Sequence, residues 1–229
     1  MAALPQTVHA TAPRALLVGA TGLVGRSLLP LLLEGDAYAR VTVLARSARA
    51  STSPRLDWHA VDFDRLPSLF PAVDDVYVAL GTTIAAAGSQ AAFRHVDHDI
   101  VVGVARAARA AGAQRLGVVS ALGADPRSRV FYNRVKGEME EAVSGLGYHA
   151  VVIAQPSLLV GDRAALGQPV RLGEVVAARL LAPVTRLVPR AIRPIAAASV
   201  ARALVHAVQS AAPGVRRLTS AQMQAYAPS

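Results

Sequence analysis

Two rhythms of apolar residues alternate along the chain. Short, nearly unbroken apolar runs occur as "RALLVGA" at 14–20, "RVTVLAR" at 40–46, "RLDWHAVD" at 55–62, "DDVYVAL" at 74–80, "QRLGVVSA" at 114–121 and "YHAVVIA" at 148–154. Their length and β-branched content predict strands. Between them, the stretches at about 23–34, 89–111 and about 128–146 read as helices with one apolar face. Strands that alternate with helices, and are too apolar to carry a wet face, predict a doubly wound α/β fold with a parallel sheet covered on both sides.

After Pro156 the rhythm changes. Prolines at 169, 183, 189, 194 and 213 break the chain into loops and short helices, with a helix at about 197–210 and a short strand "VRRLTS" near the end. The organisation expected is a flexible tail over 1–13 and one domain over 14–229, to which 156–215 adds a small cap on the substrate side.

Composition narrows the classes of function. Hydrophobic residues make up 53% of the 229, yet no apolar run approaches the roughly 18–20 residues that span a bilayer, so no membrane segment is expected. The start, "MAALPQTVHATAP", has neither a basic segment nor an apolar one and does not read as a signal peptide. The absence of cysteine excludes disulfides, thiolate metal sites and thiol catalysis, and suggests a cytoplasmic location. A net charge of +9 would permit nucleic-acid binding, but the arginines are scattered and aromatics are only 4% of the chain, so no nucleic-acid partner is expected.

Gly19, Gly22 and Gly25 follow the first strand and open the first helix. In that setting Gly19 permits a sharp exit, Gly22 a close approach of pyrophosphate to the backbone, and Gly25 close packing of helix on sheet. With Thr21, Leu23 and Val24 they form a turn whose unpaired N–H groups would meet phosphates. An NAD site commonly places an acidic residue at the end of the second strand. Here Arg46 and Ser47 stand there, which favours NADP(H) over NAD(H), because a 2′-phosphate would find donors and no repelling carboxylate. Asp62, followed by Phe63, is placed to accept from an adenine amino group, or alternatively to cap the next turn.

The stretch "SALGADPRSRVFYNRVKGEMEEA" carries the candidate chemistry. Tyr132 and Lys136 lie four apart on one helix face, and Ser120 sits at the carboxyl end of the fifth strand, the edge where open α/β sheets gather ligands. A lysine ammonium favours the phenolate of a neighbouring tyrosine, and a serine hydroxyl can hold an oxygen on which charge develops. Lys136 is the only lysine among 24 basic residues, in a chain that otherwise uses arginine. "HVDHD" at 95–99 reads as a polar helix face, so no metal site is expected. Three arginines at 186, 190 and 193 border the expected pocket, where they could steer an anion or simply solubilise the surface.

Together "GATGLVG", "ALGTT" at 79–83, "FRHVDHDIVVGVARAARAAGAQRLGVVSALGAD", "FYNRVKGEMEEAV" and "PSLLVGDR" resemble the extended and atypical short-chain dehydrogenases/reductases, most of all the Tat-interacting-protein group of NADPH-binding oxidoreductases. The resemblance covers residues 14–163 well. It implies a Rossmann-like fold with Leu80, Gly81 and Thr82 close to the cofactor, Ser120, Tyr132 and Lys136 as catalytic residues, and Pro156, Ser157 and Leu158 near the nicotinamide. Two positions depart from the family: Asp97 stands where many relatives have Asn, and Gln155 where they often have Arg, which removes a charge near the substrate side. The function implied is hydride transfer between nicotinamide and a small or medium carbonyl or alcohol. A non-catalytic NADP(H)-binding regulatory or assembly protein and a nucleotide-sugar epimerase or dehydratase are the alternatives, and a homodimer is left open.

Overall fold

The computed structural model describes residues 12–51, 53–67, 70–161 and 189–227. In chain order its strands are β1 (Arg14–Val18), β2 (Arg40–Ala45), β3 (Leu56–Ala60), β4 (Asp75–Val78), β5 (Arg115–Val119), β6 (Ala150–Gln155), β7 (Leu159–Val160), β8 (Ile195–Ala196) and β9 (Gly214–Thr219). Seven of them form one sheet in the order β3-β2-β1-β4-β5-β6-β9, parallel throughout, and β7 pairs with β8 separately. The order reverses between β1 and β4, so the connections leaving these two strands part and open a crevice at their carboxyl ends.

Successive residues of a strand point to opposite faces, and β1 shows the consequence. Leu17 joins a core with Leu28 and Leu32 of helix α1 (Leu23–Leu33) and with Leu204 and Val208 of the helix Ala197–Gln209. Leu16 joins the opposite core with Val101 and Val104 of the helix Val101–Ala110 and with Met139 and Val143 of the helix Phe131–Ser144. Burial of a side chain of this size stabilises by about 1.5–3 kcal/mol. Both faces of the inner strands are therefore dry, which explains their unbroken apolar runs. The edge strand β9 is exposed at Val215, Arg216 and Arg217, and its mixed pattern follows.

At the amino ends of the strands a polar network ties neighbours together. Asp75 of β4 accepts from Arg115 of β5 at 2.6 and 2.8 Å and from the Tyr38 hydroxyl at 2.6 Å, while Tyr38 and Tyr77 share a hydrogen bond of 2.7 Å. Burial pushes the Asp75 carboxyl above its ordinary range, against the lowering effect of Arg115 and Tyr38, and pushes both tyrosines up.

The expected helix at 89–111 differs in its winding. A short helix α2 (Ile84–Ala87) capped by Thr83 precedes α3 (Gln90–Arg94) capped by Ser89, a π-helical turn spans His95–Ile100, and α4 (Val101–Ala110) completes the run. The next helix, α5 (Phe131–Ser144), starts later than the 128 expected, because Asp125 Oδ1 accepts the Arg127 N–H at 2.8 Å and holds that stretch in a turn. The helix at 197–209 is α6 here, and β9 leads into a final short helix α7 (Ser220–Met223). The tail expected at 1–13 lies almost wholly outside the described residues, as does the 162–188 part of the expected cap, Arg186 included.

Candidate functional site

β1 ends at Val18, and Gly19 turns the chain with φ 90°. A Cβ at Gly19 would lie 2.5 Å from the Ala79 carbonyl oxygen, so both the dihedral and the approach to the β4 exit require glycine. At Gly25 a Cβ would sit 2.0 Å from the Gly19 carbonyl oxygen, so glycine lets α1 close against its own turn. Gly22 differs: its φ of −77° suits any residue, and a Cβ would meet only the Gly19 oxygen at 3.3 Å and the Ala79 oxygen at 3.7 Å. It is the N-cap of α1, which has no side-chain cap and no acidic residue in its first turn, so the helix presents an open positive end.

That end faces a cavity of ≈ 940 Å³ at the carboxyl edge of the sheet. Gly22, Leu23 and Val24 form one wall, Leu80, Gly81 and Thr82 after β4 another, and Pro156, Ser157 and Leu158 after β6 a third. Ser120, Tyr132 and Lys136 line the same cavity, so residues far apart in sequence meet there. The Ser120 N–H donates to Ala154 O at 2.7 Å and the Leu122 N–H to Pro156 O at 2.8 Å, which fixes the β5 exit to that of β6. Ser120 is only 5% exposed, and its Oγ has no hydrogen-bond partner among the described residues. The Tyr132 ring packs on Phe93 at 5.2 Å between centroids. Ser157 Oγ donates to Arg193 O and shares a hydrogen bond of 2.9 Å with Ser220, tying this wall to the C-terminal segment.

Lys136 is 3% exposed, with Nζ 2.7 Å from Oδ1 of Asp97. The sequence marked Asp97 only as a departure from a family pattern. In the structure Asp97 is fully buried in the π turn, and its Oδ2 accepts the Thr82 N–H at 2.9 Å. In the sequence Asp97 falls within "HVDHD", a stretch that reads as a polar helix face, so nothing local marks it as buried.

Other candidates lie away from the cavity. Arg46 and Ser47 are exposed just beyond β2, where the Ser47 carbonyl accepts from Trp58 Nε1 at 3.0 Å. Thr21 accepts through its carbonyl from Arg26 Nε at 3.3 Å. Asp62 Oδ1 accepts from the Asp64 N–H at 2.9 Å, which is the turn-capping alternative, and Asp62 borders a separate cavity of ≈ 670 Å³ with Leu44 and Phe70. Phe63 packs against the core on the α4 side. His95 reaches back to Asp64 at 2.6 Å, joining the π turn to the β3 exit. Gln155 does not line the cavity: its amide donates to both Glu140 oxygens at 2.9 and 3.1 Å, and Arg217 Nε pairs with the same carboxylate at 3.0 Å. The replacement of a basic residue expected there thus falls within a structural network, with Arg217 of β9 supplying the cation.

Residues 19–159 match the NAD(P)H-binding family. A protein named fmp52, mitochondrial, of Emericella nidulans is 38% identical over 156 residues, covering 64% of this chain and 67% of that protein. The fmp52 protein of Aspergillus fumigatus is 40% identical over the same shares. Among solved structures, the ADP-L-glycero-D-manno-heptose-6-epimerase of Helicobacter pylori has TM-score 0.66 at 17% identity, covering 91% of this chain and 77% of that one. MoeE5 in complex with UDP-glucose and NAD has TM-score 0.66 at 15% identity, covering 90% and 76%. Identities this low describe a shared fold. Both fungal relatives are named mitochondrial, which overturns the cytoplasmic location expected from composition; a lack of cysteine excludes disulfides but does not choose between reducing compartments. With more than half of its length matching, and with the glycine turn and crevice where that match requires them, this chain belongs to the NAD(P)H-binding family of Rossmann-like proteins.

Proposed function

We propose that the chain is an NADP(H)-dependent oxidoreductase acting on a small or medium, uncharged carbonyl compound or the corresponding alcohol. The observation that carries this reading is the unpartnered Ser120 Oγ, buried in one cavity with Tyr132 and Lys136. A buried hydroxyl without a partner costs about 1–3 kcal/mol, and such groups are retained where a ligand completes them.

The fit to a dinucleotide is supported by the uncapped start of α1 and the open face of Gly22, which suit a pyrophosphate. Arg46, exposed just after β2, supports the choice of NADP(H), since a guanidinium there would pair with a 2′-phosphate. When bound, the dinucleotide supplies or accepts the hydride. Ser120 donates to the substrate oxygen and orients it. In the direction of reduction Tyr132 gives its hydroxyl proton to that oxygen, and in oxidation it takes the proton back, so the carbonyl gains one hydride and one proton in all. The Lys136 ammonium, which lines the same cavity, would offset charge that develops on that oxygen. Substrate class follows from the walls: among the described residues lining the cavity, Lys136 and Asp97 are the only charged ones, and they neutralise each other. Ala85, Ala86, Leu122 and Leu158 present apolar surface.

The test is Tyr132→Phe assayed with NADPH and a panel of uncharged aldehydes and ketones. NADPH affinity stays within about threefold of wild type and turnover falls by roughly 100-fold or more. Unchanged turnover in the variant removes Tyr132 from the chemistry. Wild-type protein that binds NADPH but reduces no member of the panel points instead to a non-catalytic NADP(H)-binding role.

A further inference from the structure

We propose that Asp97 is a positioning residue whose one carboxylate holds both the Lys136 ammonium and the Thr82 turn in place before cofactor or substrate arrives. The inference rests on the oxidoreductase reading for its consequence in catalysis, and on geometry for the anchor itself.

Asp97 lies in the π turn His95–Ile100. A π turn admits an extra residue into a helix, is rare, and recurs at functional sites. Its two oxygens have separate tasks: Oδ2 accepts the Thr82 N–H at 2.9 Å and Oδ1 lies 2.7 Å from Lys136 Nζ. One group thereby links the β4 exit to α5. Both charges are taken out of water, with Asp97 fully buried and Lys136 3% exposed, a burial that costs several kcal/mol per ion before pairing.

The contact with Lys136 is close, at the separation of a charge-assisted pair. Asp97 therefore holds the ammonium by charge at the wall of the cavity, which both residues line. A lysine side chain has many rotamers, and fixing it in advance removes that ordering cost from the binding step.

The chain has a single lysine, which gives a clean measurement. In full-length protein labelled with 15N-lysine, the one Nζ ammonium signal belongs to Lys136. In wild type it is expected to exchange slowly with water, without NADPH and with it. Asp97→Asn keeps an oxygen for the Thr82 N–H but removes the charge, so ammonium exchange accelerates at least about tenfold while NADPH affinity changes less than about threefold. Asp97→Ala removes both links and weakens NADPH at least about tenfold. The proposal is overturned if the Nζ signal of Asp97→Asn matches wild type in position and exchange. It is equally overturned if the wild-type ammonium exchanges at the rate of a solvated lysine, a result that needs no variant to fold. Wild-type protein that binds NADPH but reduces no uncharged aldehyde or ketone would remove the oxidoreductase reading and leave these signals as they are, so the two failures are distinct.

Discussion

The three glycines of the α1 turn look equivalent in sequence; the structure shows two that the fold requires, and the proposed cofactor role falls to the third, Gly22. Gly25→Ala places a Cβ 2.0 Å from the Gly19 carbonyl oxygen and 2.7 Å from its carbonyl carbon, where ordinary contact begins near 3.4 Å. Every neighbour is backbone, so no rotamer change relieves the overlap; α1 and the turn must part by more than an ångström. Overpacking costs about 1–3 kcal/mol when side chains can yield, and here the upper end or more is expected. For a domain of this size, about 3 kcal/mol lowers Tm by roughly 6–12 °C. Gly22→Ala meets only the Gly19 oxygen at 3.3 Å, and its backbone dihedrals are allowed to alanine. The entropy lost from the unfolded chain, worth about 0.4–1 kcal/mol, roughly offsets the weaker N-cap, so Tm moves by less than about 3 °C. The added methyl nevertheless faces the cavity where a phosphate must approach the backbone, and NADPH affinity falls at least about tenfold. Thermal unfolding without ligand and a fluorescence titration with NADPH measure the two effects independently. Wild-type affinity in Gly22→Ala, or wild-type Tm in Gly25→Ala, would refute this division of roles.

Two further outcomes are expected. Asp75→Asn keeps a neutral acceptor for Arg115 and Tyr38 but loses the charge-assisted pair, and should cost about 1 kcal/mol at pH 7, read as a lower urea midpoint. Because burial raises the Asp75 carboxyl above its ordinary value of 3.8, the folded state takes up this proton at higher pH than the unfolded chain. That contribution is fully present below the unfolded value and is lost as pH rises through the folded one, so the gap between wild type and Asp75→Asn should widen from pH 7 towards about 4, and a narrowing gap would contradict it. Arg46→Ala should reduce the preference for NADPH over NADH by about tenfold in paired binding titrations, and an unaltered ratio would show that Arg46 does not read the 2′-phosphate.

Which features could be read from the sequence depends on the range of the interactions that make them. The inner strands announce themselves because burial on both faces forces apolar residues at every position, as in Ala15–Val18. Tyr132 and Lys136 are legible because four residues make one helical turn, and Ser120 because its place follows from where β5 ends. Gly19 and Gly25 are legible as fold signals for the same reason: what they avoid lies within the turn or at the adjoining strand end. Asp62 is ambiguous because the atom that could meet adenine also caps its own turn, and only coordinates show the bond to Asp64.

Long-range pairing is what sequence spacing conceals. Gln155 reads as a missing charge until Glu140 and Arg217 are placed beside it, and Arg217 comes from the strand added last to the sheet edge. Asp97 is hidden twice, by distance from Lys136 and Thr82 and by a winding that departs from the helical period used to assign faces. Such a residue is better sought through cost than through pattern. An acid wholly removed from water cannot persist unpaired, and the only lysine in the chain is the partner that the fold supplies. The two facts require each other: arginine suffices for every other basic position in this chain, while a compact ammonium stands where a buried carboxylate and the cavity at the sheet edge share one cation.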